Sequence, residues 1–241
     1  MTDLDIVRRR YRQFAETECR GHSDLYDTLS TGLANSDELV RFIAARPVTQ
    51  PNLFFAAVQY LCGPASMPAT PGELAHFVSA HAGDIARLME QRRTQTNEVG
   101  RCAVLLPALP LGPLALLEVG ASAGLCLLLD RFCCDYGEAK AGDTSSTVRC
   151  SCVTVGLDIS AVAMPAIAWR RGLDLAPVNV RNDDDVRWLL SCVWADHPLR
   201  RERLSAAINI ARDNPPKVMA GDLVHDLERA VHDAPIDAHL V

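Results

Sequence analysis

Apolar residues recur at helical spacing through the first hundred positions. Ile6, Val7, Tyr11 and Phe14 fall on one face, as do Leu25, Leu29 and Leu33, then Leu39, Phe42 and Ile43. Residues three and four apart share one side of an α-helix, so this spacing predicts helices that each bury a single stripe. Pro47 and Pro51 interrupt the pattern and residues 53–61 resume it. A loop rich in Pro, Ala and Gly over 63–72 then precedes one further helix over 73–89.

After Pro113 the period changes. Residues 114–120 (LALLEVG) form a compact apolar run that ends in glycine, and the following LCLLLDRF places Leu125, Leu128, Leu129 and Phe132 at helical spacing. The pattern predicts a strand, a glycine turn and a helix. Two β-like runs follow at 148–155 and 166–180, then helices over 183–193 and 199–212. A strand over 217–220, a helix over 223–232 and the start of a strand at 238–241 complete the chain. Strands that alternate with helices need crossover connections, which give a parallel sheet. The expectation is an α/β protein: a helical N-terminal region over 1–106, then a partial Rossmann-like parallel sheet over 107–241.

At 241 residues and 49% apolar, the chain is long enough for one large core or two modest ones. A net charge of −6 excludes a protein that captures nucleic acid by bulk electrostatics, which needs a surplus of Lys and Arg. The opening MTDLDIVRRRYRQF sets acids and arginines where a signal peptide needs an apolar stretch, so the expected location is cytoplasmic. The most apolar window, 102–119, holds Pro107, Pro110, Gly112, Pro113 and Glu118, so no transmembrane helix and no membrane partner are expected. The nine cysteines show neither disulfide-scaffold nor metal-ligand spacing; the expectation is reduced, structural thiols and no metal.

The segment with chemical content is Glu118-Val119-Gly120-Ala121-Ser122-Ala123-Gly124. Glycines at 120 and 124 permit a tight turn, and small residues between them leave room for a ligand over the backbone amides. The same residues admit two other readings. Gly120-Ala-Ser122-Ala-Gly124 also spells the nucleophile elbow of a serine hydrolase, with Ser122 as nucleophile and Asp222 with His225, His232 or His239 as partners in chain order. Small residues equally suit a close-packed turn that binds nothing, in a non-enzymatic structural or interaction protein.

Glu118 to Gly124 resembles the first motif of class I S-adenosylmethionine-dependent methyltransferases. With RTQTNEVGR over 93–101, Arg171-Gly172-Leu173-Asp174-Leu175 and Gly221-Asp222, the chain resembles an uncharacterised family, domain of unknown function 2332, along essentially its whole length. The resemblance implies a helical region followed by a methyltransferase-type core with S-adenosylmethionine as cofactor. It assigns Glu118, Gly120, Ala121, Ser122 and Gly124 to the cofactor's methionine end, Asp174 to the ribose hydroxyls and Asp222 to the adenine edge. It names no catalytic residue and no methyl acceptor. Asp174 lies 50 residues beyond Gly124, against about 20 in an ordinary fold of this type; an inserted hairpin around 150–155 would account for the difference. Cys126 stands where the family has asparagine, with Cys133 and Cys134 expected in the same helix. The resemblance further implies that the chain stops inside a fourth strand, which would compromise activity and leave an open apolar edge for a homo-oligomer to cover.

Asn97, Glu98 and Arg101 combine an amide, a carboxylate and a guanidinium upstream of the turn. They are candidates for substrate or cofactor contact. The alternative is capping, with Thr96 or Asn97 as N-cap of a helix over 99–105 and Arg101 paired to Glu98. The basic runs at 8–10 and 200–203 read as solvated helix faces.

Overall fold

The computed structural model describes residues 2–156 and 158–241. The chain forms a mixed α/β structure in two compact units, one running to Gln95 with a return at Leu190–Pro198, the other comprising Thr96–Leu189 and Leu199–Val241.

The first unit is helical: α1 (Asp3–Phe14), α2 (Asp24–Asn35), α3 (Asp37–Ala44), α4 (Pro51–Cys62), α5 (Pro71–Ala80) and α6 (Ala82–Gln91). Side chains fix four of the six helix starts. Thr2 with Asp5, and Thr70 with Glu73, close reciprocal capping boxes, while Ser23 and Ser36 each accept one backbone amide. The span 73–89, expected as one helix, is two, broken at His81, which serves as the end of α5 and the start of α6. Tyr11, Phe14, Tyr26, Phe54 and Phe55 form an aromatic core, joined by Trp194 of the returning segment, which stacks on Tyr26 at 5.0 Å between ring centroids. Gln59 accepts from the Tyr26 hydroxyl at 2.9 Å and donates to the Val193 carbonyl at 2.8 Å, so the buried amide is satisfied at both ends.

The second unit opens with α7 (Arg101–Leu105) and β1 (Pro113–Val119); proline is tolerated at a strand's first position because no ladder donor is lost there. β2 (Cys133–Asp135), β3 (Lys140–Gly142) and β4 (Arg149–Ser151) make a small separate sheet in the order β3-β2-β4. Then come β5 (Ala166–Asp174), α8 (Asp183–Ser191), α9 (Pro198–Asp213), β6 (Val218–Ala220), α10 (Leu223–Val231) and β7 (His239–Leu240). The main sheet has the order β6-β5-β1-β7, with every neighbouring pair parallel. From β1 the chain moves outward through β5 to β6, then crosses back to pair β7 on the other side of β1. That reversal is a topological switch point, where loops at the carboxyl ends of strands part and leave a crevice.

Four expectations for this unit are corrected. Residues 125–132 do not continue as an α-helix: Leu125–Arg131 is a 3-10 segment with Leu128 outside helical geometry. Arg170 supplies a reason. Its guanidinium takes the Leu127 carbonyl at 2.8 Å and grips Asp130 bidentately at 2.8 and 2.9 Å, which claims an acceptor that an α-helix would spend on its own backbone. Cys133 and Cys134 lie in β2, not in a helix. The insertion between the turn and Asp174 is the three-stranded sheet β3-β2-β4, which is larger than a hairpin around 150–155. The β-like runs are also shorter as strands, since β4 ends at Ser151 and β5 at Asp174.

Candidate functional site

The turn after β1 is over-determined by the residues around it. Gly120, Ser122 and Gly124 all have positive φ, at 71°, 54° and 69°. A Cβ on Gly124 would lie 2.8 Å from Val218, and one on Gly172 of β5 would lie 2.7 Å from the Ala121 methyl, so glycine at both positions lets turn, β5 and β6 meet. A Cβ on Gly120 would meet nothing within 4 Å, so the space above that residue is open.

Protein groups take most of the turn's hydrogen bonds. Gly120 and Ala121 donate to the Leu173 carbonyl at 2.8 and 3.3 Å, and Gly124 donates to Ala121 at 2.6 Å. Ser122 donates its amide hydrogen to the Asp174 carboxylate at 2.7 Å; the other carboxylate oxygen accepts from Ala176 at 2.8 Å. Asn97 is buried behind the turn. Its amide nitrogen donates to the Ala121 carbonyl at 3.1 Å and its oxygen accepts from the Leu125 amide at 3.0 Å.

Neither Thr96 nor Asn97 caps α7, whose N-cap Gly100 makes no side-chain bond. Nor does Glu98 pair with Arg101. It accepts from Gly100 at 3.0 Å and binds Arg200 at 2.5 Å and Arg203 at 2.7 Å. Burial pushes the Glu98 carboxyl upward, but the bond from Arg203, the Gly100 amide and both guanidinium charges outweigh it and hold the carboxyl below its ordinary value. Arg200 and Arg203, read from sequence as a solvated face, are therefore anchors. No local signal marks them, because their partner is a hundred residues away.

A cleft of about 230 Å3 opens at the carboxyl ends of β1, β5 and β6, lined by Val119, Gly120, Asp174, Leu175 and Asp222 among others. Three residues nominated from sequence, Gly120, Asp174 and Asp222, thus meet at one cleft. Asp222 is also the N-cap of α10, accepting from Val224 at 2.8 Å. Glu118 lines a second, largely apolar cavity of about 200 Å3 with Cys102, Leu105, Leu116, Cys126 and Val241. One Glu118 carboxylate oxygen is buried there without a partner, and burial pushes its pKa up to about 7 against the opposing charge of Arg101. Ala121, Ser122 and Gly124 are buried within the turn, while Arg101 is exposed at the start of α7. The Ser122 hydroxyl is buried without a hydrogen-bond partner, so no imidazole among the described residues stands next to it as a base.

The nine cysteines are free thiols, and no cluster of His, Cys, Asp and Glu suited to a metal ion occurs among the described residues. No helix among them is long and apolar enough to cross a membrane.

Comparison with known families gives one match: a family model described as an uncharacterized protein conserved in bacteria (DUF2332) covers residues 8–241. No curated protein and no solved structure matches the chain.

Proposed function

The chain belongs to the DUF2332 family, and on that premise we propose that its α/β unit binds S-adenosylmethionine or S-adenosylhomocysteine, as a methyltransferase-like protein of Rossmann type. The observation that carries the reading is the convergence of Gly120, Asp174 and Asp222 on one cleft at the carboxyl ends of three adjacent parallel strands. Ligands of open α/β sheets sit at that edge, beside a switch point such as the one between β1 and β7.

The cleft suits the nucleoside half of the cofactor. Its volume of about 230 Å3 falls below the roughly 300 Å3 at which pockets for whole drug-sized ligands begin. A carboxylate has about four acceptor positions; the Ser122 and Ala176 amides engage Asp174 once on each oxygen, so acceptor capacity remains for a ribose diol. Asp222, beyond β6, lines the same cleft and would face the adenine edge. The methionine end would extend into the open space over Gly120. When bound, the cofactor supplies an electrophilic methyl group. The protein's part is to orient it, since in-line transfer depends on positioning.

The test is thermal melting with S-adenosylmethionine and S-adenosylhomocysteine. A ligand bound only to the native state at about 100 times its Kd stabilises by about 2.7 kcal/mol, which is a clear rise in Tm. Leu175 is exposed on the cleft, so Leu175→Trp fills the cleft without disturbing the core. A rise present in the parent and lost in Leu175→Trp supports the reading; no rise in a folded parent protein overturns it.

A further inference from the structure

A larger cavity, of about 460 Å3, lies at the other end of β6. β6 pairs with β5 only along Gly172–Asp174, so the earlier part of β5 has no strand on that side. Trp169, Arg170 and Arg171 of that stretch line the cavity with Asn214 and Lys217 of the α9–β6 connection and with Arg131. Lys217 and Gly221 are four residue steps apart in extended chain, or about 13 Å, so this cavity is distinct from the cleft at Asp222.

Its charge is unbalanced in a chain whose net charge is −6. Four cations line it against two carboxylates, Asp213 and Asp233. Asp130, just outside, is held bidentately by Arg170 and leaves Arg131 only a distant 3.8 Å approach. Lys217 is exposed and forms no ion pair among the described residues. Arg171 reaches Asp233 at 2.5 Å and lies 5.3 Å from the Trp169 ring centroid. The Arg171 side chain keeps some exposure beside that ion pair. The surplus of positive charge around the cavity suits an anion with several acceptor oxygens, taken by the arginine fork and the lysine point charge. The indole and the apolar walls supplied by Leu128 and Ile210 add a surface for a flat ring.

We propose that this cavity binds a phosphorylated small molecule carrying a planar ring, of the nucleoside monophosphate class. The phosphate takes the exposed part of the Arg171 guanidinium and the Lys217 ammonium, and the ring lies against Trp169. A volume of about 460 Å3 falls within the range of roughly 300–1,000 Å3 usual for ligand sites of this size.

Isothermal titration with AMP, adenosine and inorganic phosphate tests the assignment on the full chain. AMP is expected to bind saturably and more tightly than either part alone. Lys217→Ala and Arg171→Gln should each weaken it by about tenfold, the size of one charge-assisted hydrogen bond. Lys217 is exposed, so its variant stays folded even if Arg171→Gln does not. Leu175→Trp, which fills the other cleft, should leave AMP binding unchanged. The proposal is overturned if AMP gives no saturable heat at millimolar concentration, if Lys217→Ala binds as the parent does, or if Leu175→Trp abolishes binding. The last result would move the nucleotide to the cleft at Asp174 without touching the case for that cleft.

Discussion

Asp174 and Ser122 are 52 residues apart in sequence and joined by a 2.7 Å hydrogen bond from the Ser122 amide to the Asp174 carboxylate. The acid nominated for the ribose is thereby also a strut of the glycine turn. Its substitution must therefore be read in two ways. Asp174→Asn keeps one acceptor oxygen and loses the charge, so it should cost about 1 kcal/mol of stability while removing the cofactor-induced rise in Tm. Asp174→Ala leaves the buried amide unpaired and should cost about 2–3 kcal/mol. Urea denaturation of both, with and without S-adenosylhomocysteine, separates the two roles; equal stability of the two variants would show that the strut carries no weight.

Asn97→Ala should destabilise the α/β unit by about 2–4 kcal/mol, because the Ala121 carbonyl and the Leu125 amide both lose a buried partner. Asn97→Asp keeps the acceptor for Leu125 but sets a carboxylate against the Ala121 carbonyl, so it should not rescue. Denaturant midpoints of the two variants check this.

Gly172→Ala adds a methyl 2.7 Å from Ala121 and 3.0 Å from Val218. The turn and β6 must move apart, at a cost of about 1–3 kcal/mol. Gly120→Ala, where the space is open, bears only the strain of a positive φ, about 1 kcal/mol. Melting curves of the pair should rank Gly172→Ala as the more damaging.

Glu118 makes stability depend on pH in an unusual direction for a carboxylate. Its folded pKa, about 7, lies above its ordinary 4.5. Between those values the folded state keeps a proton that the unfolded state has released. This group's contribution is thus fully present below about pH 4.5 and is lost as pH rises through about 7, by at most about 3 kcal/mol. Glu118→Gln stays neutral and should gain stability over the parent progressively from pH 5 to 8. A constant difference across that range would refute the assignment.

Glu98→Gln should loosen both arginine contacts. Breaking charge-assisted bonds to Arg200 and Arg203 at a half-buried carboxylate costs about 1–3 kcal/mol. The loss should shrink in high salt, because those side chains keep some exposure. Melting at low and high ionic strength tests both parts.

The helices of the first unit were legible in the sequence because each carries its own stripe of apolar residues, except that 73–89 read as one helix where His81 divides two. The alternation of strands and helices beyond Pro113, and so a parallel sheet, was legible for the same reason. The turn was visible as a spacing of small residues, and Asp174 and Asp222 as acids beside expected strand ends. The segment after the turn was misread, because Leu125 to Phe132 carries a helical pattern while Arg170, 40 residues on, takes the Leu127 carbonyl and Asp130. Arg200 and Arg203 were misread because a charged run on a helix looks the same whether water or Glu98 faces it.

What the sequence determined by itself is what a window of a dozen residues contains, the periodicities and the glycine spacing, together with the family, which motifs along the whole chain carry. Only the tertiary structure decided that Asn97 and Asp174 clamp the turn, that Gly120, Asp174 and Asp222 share a cleft while Glu118 lines another, and that residues 190–198 rejoin the helical unit. Hydrogen bonds and burial depend on distance in space, and between residues so far apart along the chain that distance is fixed only when the whole chain has folded.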